Sequence, residues 1–144
     1  MTNLQPYVIP RPFNGYNIPG AIQTTYLKNY AVSKKFSFAL PIVEITTTSS
    51  FYLLKGYINQ KKHQKIDICV VSGFVFPIYD ESILSELFSA YFNFDLNIHM
   101  VLEAKILNVK KFCDWAKDVR QINQFTHSYD DENIKKITET LKDD

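Results

Sequence analysis

Short apolar runs alternate with stretches of helical period along most of this chain. Leu4 to Ile9 is extended and bounded, because Pro6 and Pro10 exclude a helix. Asn14-Gly15 is turn chemistry. From Pro19 onward Ile22, Tyr26, Leu27 and Tyr30 recur at helical spacing, and Lys34-Lys35 suit the negative end of a helix dipole. Phe36 to Val43 reads as a strand interrupted at Pro41. Phe51, Leu54, Tyr57 and Ile58 give a short second helix its buried face.

The run from Ile66 to Val71 is apolar except for Asp67, as expected of a strand covered on both sides. Pro77 and Asp80 then open a helix reaching about Asn93, with Ile83, Leu84, Leu87, Phe88 and Tyr91 inward. Ile98 to Leu102 follows as a strand. Val109, Phe112, Cys113, Ala116 and Val119 mark a helix that carries Trp115, and Asp130-Asp131 cap a last one with Ile134, Ile137 and Leu141. Strand and helix in alternation predict one α/β domain over residues 1–144. It has a core at about 4–107 and terminal helices at about 108–142. The architecture is three-layer α/β/α on a mostly parallel four- to five-stranded sheet, resolvase-like or flavodoxin-like.

Parallel strands share one carboxyl edge, and ligands bind along it. Four polar clusters fall there: Arg11 to Gly15, Glu44 to Ser50, Ser72 to Phe74, and His99 with Glu103. Arg11 offers a bidentate grip for phosphate or carboxylate. Glu44 suits acid–base work or sugar hydroxyls, or else caps the helix that follows. Ser49 and Ser50 stand before a helix N-terminus, which favours anions. Ser72 suits hydrogen bonding, and Gly73 allows a ligand close to the backbone. His99, inside a strand, is either a satisfied core residue or a proton carrier.

Composition narrows the classes. Hydrophobic content of 46% and charge of 22% over 144 residues are globular values. Aromatic content of 15% suggests a Phe-rich core and leaves room for an apolar patch, hence a possible homo-oligomer. A net charge of +1, with lysine pairs spread along the chain, argues against a nucleic-acid partner. Cys69 and Cys113 form no disulfide framework and read as small apolar residues. Three scattered histidines give no metal spacing, and no glycine-rich phosphate loop occurs, so neither metal nor cofactor is expected. With no signal-like leader and no membrane-length apolar run, a cytoplasmic location without membrane contact is expected.

Several short motifs resemble the sporadic carbohydrate cluster protein family in order and spacing. They are Arg11-Pro12-Phe13-x-Gly15 with Ile18-Pro19 and Ile22-Gln23, then Pro41-x-x-Glu44 with Ser50 and Leu53-Leu54, then Ser72-x-Phe74-x-x-Pro77. The likeness ends near His99-x-x-x-Glu103 and covers roughly residues 7–105. It implies a setting among bacterial surface-polysaccharide genes. A fainter resemblance, to the serine recombinase catalytic domain, rests on a strand, Arg11, and a helix with Gln23 and Tyr30-Ala31. Where that family has its nucleophilic serine this chain has Phe13, and no arginine lies between Ser72 and Pro77.

The expectation is therefore a cofactor-independent enzyme moving a proton on a sugar or sugar phosphate, of isomerase or epimerase type. Glu44 and His99 would be catalytic, and Arg11, Gln23, Ser49, Ser50, Ser72 and Glu103 would bind substrate. The alternative is a non-catalytic binding or assembly partner of a polysaccharide-pathway enzyme.

Overall fold

The structure is a computed structural model describing residues 3–44, 51–61, 64–88 and 95–142, without the side chains of 126–134 and 137–142. The chain runs β1 (Asn3–Val8), α1 (Gly20–Ser33), β2 (Ser37–Phe38), β3 (Ile42–Val43) and α2 (Tyr52–Gln60). Then come β4 (Ile66–Val70), α3 (Glu81–Phe88), β5 (Leu96–Met100), β6 (Lys105–Asn108) and α4 (Val109–Lys142). A single 3-10 turn, Gly73–Val75, follows β4.

The strand order is β2-β1-β4-β5-β6, with β3 also on β1. β2 and β3 pair with successive parts of β1, Asn3 with Ser37 and Tyr7 with Ile42, so they fill one edge position broken around Pro41. Strands β1 through β5 are parallel, and β6 alone pairs antiparallel, Ile98 opposite Leu107. The mostly parallel α/β/α sandwich expected from the sequence is present, with five positions across the sheet.

Side chains alternate between faces along each strand. Register puts Pro6, Cys69 and His99 on one face, which α1 covers with Gln23, Leu27 and Ala31. Tyr7 and Met100 point the other way, into an aromatic core. There Phe76 stacks parallel on Tyr7 at 6.1 Å and meets Phe88 and Phe112 edge-on, each at 5.4 Å. Ring pairs at these distances add roughly 0.5–1.5 kcal/mol each beyond area burial.

Two expectations about the last third change. Asp130-Asp131 start no new helix, because α4 runs unbroken through them to Lys142. No glycine or proline interrupts residues 109–142, so nothing forces a break. The strand β6 was not read from the sequence; its burial is slight, with three of four residues exposed. Past Arg120 the helix carries Ile122 and Phe125 exposed. Among the described residues no helix is long and apolar enough to cross a membrane.

Candidate functional site

The loop after β1 begins the carboxyl rim. Phe13 and Tyr16 exchange backbone hydrogen bonds of 2.9 and 2.8 Å around Asn14 and Gly15, both at positive φ. Such a tight turn is what Asn-Gly favours. It carries the chain back to Ile18 and the start of α1. Arg11, just before the turn, lies half-buried with its guanidinium 5.1 Å from the Phe51 ring centre.

Glu44 is at the same rim. It is buried and accepts from the Tyr7 hydroxyl at 2.8 Å and from the Leu53 and Leu54 N–H groups at 3.1 and 3.3 Å. The first turn of α2 is thus capped by a distant carboxylate; Phe51 at its cap makes no side-chain bond to the helix. Burial, reinforced by the Glu44 bond and charge, pushes the Tyr7 phenol far above its usual range, and Arg11 opposes this. Arg11 and Glu44 therefore share one corner of the molecule. Ser49 and Ser50 lie outside the described residues.

Beyond β4, Ser72 donates to Glu103 Oε1 at 2.6 Å and accepts from the Phe74 N–H at 3.1 Å. Glu103 Oε1 also receives the Gly73 N–H at 2.9 Å, tying the turn after β4 to the turn after β5. The space at Gly73 belongs to protein and not to a ligand: a Cβ there would overlap Met100 Sδ and sit 2.8 Å from the Trp115 ring.

Gln23 is wholly buried on α1 and donates to the carbonyls of Ile9 at 2.8 Å and Ile18 at 2.7 Å. Two carbonyl partners fix the amide orientation, since only the NH2 can serve them. Its Oε1 is then left with no donor among the described residues, as is the buried Glu103 Oε2. Gln23 lines a cavity of about 370 Å³ with Ile18, Ile22, Tyr26, Val71 and Leu102. Next to it, sharing Ile18 and Leu102, a cavity of about 300 Å³ is lined by Phe13, Asn14, Tyr16, Ser72 and Phe74.

His99 is elsewhere. It is buried on the α1 face, with Nδ1 3.0 Å from the Tyr30 hydroxyl and Nε2 2.9 Å from Asp67 Oδ1. Glu44 bonds Tyr7, which faces the opposite layer, so the two residues expected to share proton transfer do not meet. Asp67 and Tyr7 were not among the expected site residues. The signal for Asp67 was present, because a carboxylate inside a fully buried strand needs a buried partner. No group of three or more histidine, cysteine, aspartate or glutamate side chains able to hold a metal occurs among the described residues.

No family model matches this sequence, and no curated protein does either. The fold does resemble a solved structure. The N-terminal catalytic domain of TP901-1 integrase, a serine recombinase, superposes with a TM-score of 0.57 at 12% identity, over 89% of this chain and 98% of that one. At that identity the likeness establishes a resolvase-like fold and nothing about activity. Phe13, two residues after Arg11, is buried against the rim cavity.

Proposed function

We propose that this chain binds a sugar or sugar phosphate at the carboxyl rim of its sheet, in the service of surface-polysaccharide precursor metabolism. The observation that carries the reading is the two adjoining rim cavities, one of them lined by Gln23, whose buried Oε1 has no donor among the described residues. A buried acceptor left unpaired costs about 1–3 kcal/mol. A polyol supplies a hydroxyl donor for Gln23 Oε1 and lays its C–H faces on apolar walls like Ile18, Leu102 and Phe74. Arg11, at the same rim, suits the charge of a phosphate. The separation of Glu44 from His99 favours binding over the expected proton-transfer pair, and the family setting suggested by the motifs supplies the carbohydrate class.

The test is calorimetric titration of the full chain with glucose 1-phosphate and a nucleoside-diphosphate sugar. Leu102 borders both cavities and is exposed, so Leu102→Trp fills them without breaking an internal hydrogen bond. Saturable binding to the native chain that weakens at least about ten-fold in this variant, or ~1.4 kcal/mol, is expected. Equal affinity in both proteins would place any ligand elsewhere.

A further inference from the structure

A chain of three polar side chains runs through the α1 face, apart from the rim cavities. Asp67 and His99 are almost entirely buried, and their bond is 2.9 Å long. A carboxylate can only accept, so Nε2 of a neutral His99 carries the hydrogen and Nδ1 keeps a lone pair for the Tyr30 hydroxyl at 3.0 Å. Phe36 meets the imidazole edge-on at 5.6 Å and fixes its plane.

Tyr30 is only partly buried and borders two clefts. One, of about 260 Å³, is lined by Lys34, Lys105 and Ala104 among others; the second, of about 280 Å³, by Tyr26, Asn29 and Ser33. Burial, then the fields of Cys69 and Asp67, push the Tyr30 phenol upward. Its hydroxyl lies within hydrogen-bond reach of His99 Nδ1, which can accept that proton when it carries none of its own.

We propose that Tyr30 is the catalytic group of a second site, a general base toward a hydroxyl or acidic C–H of a small anionic substrate seated by Lys34 and Lys105. As the substrate's X–H bond breaks, its proton goes to Tyr30 Oη while the phenol's own proton passes to His99 Nδ1. The electron pair stays on the substrate, Asp67 holds the imidazolium, and nothing is oxidised or reduced. The reverse shift returns the proton. His99 and Asp67 are positioning residues for Tyr30, and none of this depends on sugar binding at the rim.

Reaction of the full chain with benzenesulfonyl fluoride, mapped by peptide mass spectrometry, tests this directly. The Tyr30 oxygen forms a bond to sulfur, fluoride leaves, and the phenolic proton goes to His99. Tyr30 should react about a hundred-fold faster than Tyr16 and Tyr52, which are far more exposed. His99→Gln should bring Tyr30 down to their rate. The partner variant Asp67→Asn, which leaves the imidazole in place, should lower it as well. Saturating inorganic phosphate should slow labelling of the native chain and lose that effect in Lys34→Gln/Lys105→Gln. Tyr30 reacting no faster than Tyr16, or equally fast in a folded His99→Gln or Asp67→Asn chain, would overturn the relay. Phosphate without effect on the native chain would overturn the anionic site.

Discussion

Glu44 shows how one residue serves the fold while standing where chemistry was expected. Its two oxygens take a phenol and two backbone N–H groups, joining β1 to α2. Glu44→Gln places an NH2 where an oxygen now accepts, setting donor against donor. The expected cost is about 1–3 kcal/mol of stability, read as a lower urea midpoint, with ligand affinity at the rim unchanged. An unaltered midpoint would mean the carboxylate does not anchor α2. Sequence alone left catalysis and capping both open for this residue, because Tyr7 is remote in the chain. Gln23 was legible as a candidate from its motif, yet its stranded Oε1 follows from two carbonyls that only the fold brings together.

Among the elements, those with strong apolar periodicity were the legible ones. β1 and β4 are buried along the apolar runs that the sequence displays. α1 forms where expected but turns Gln23, Leu27 and Ala31 inward and leaves Ile22 and Tyr26 of the expected stripe exposed. β6 was not legible, since Lys105, Ile106 and Asn108 are exposed and carry no alternation to read. The turn after β4 looked like a ligand approach because it holds a glycine. In the fold α4 occupies that space, with Trp115 against both Gly73 and Phe74. Gly73→Ala should therefore force Met100 and Trp115 apart and cost about 1–3 kcal/mol. Intrinsic fluorescence of Trp115, the sole tryptophan, reports the shift. An unchanged spectrum and midpoint would show that the helix yields freely there.

At the scale of the whole molecule, the fold matches the N-terminal catalytic domain of TP901-1 integrase at 12% identity, a likeness of architecture alone. Scaffold and chemistry are separable here, which is why the architecture was legible and the reaction was not. The buried interior also sets a pH response. Burial pushes the Cys69 thiol from 9.0 up to about 12, and the Tyr7 phenol rises from 10.0. Both groups are held neutral in the fold, whereas the unfolded chain releases their protons near the ordinary values. Stability is thus fully present below about pH 9 and falls as pH rises above it, by up to about 1.4 kcal/mol per pH unit for each group. Urea unfolding across that range should show the loss, and Cys69→Ala should make it shallower. A flat profile up to pH ~11 would mean that the unfolded chain releases these protons no more readily than the fold does.

The rim reading is tested most directly by amide-resolved NMR of the native chain during titration with glucose 1-phosphate. Saturable shifts are expected at the Gln23 side-chain amide and at the Ser72, Gly73 and Leu102 backbone, with one shared affinity. No saturable shift at these groups, or shifts confined to Lys34 and Lys105 on the other cleft, would contradict it.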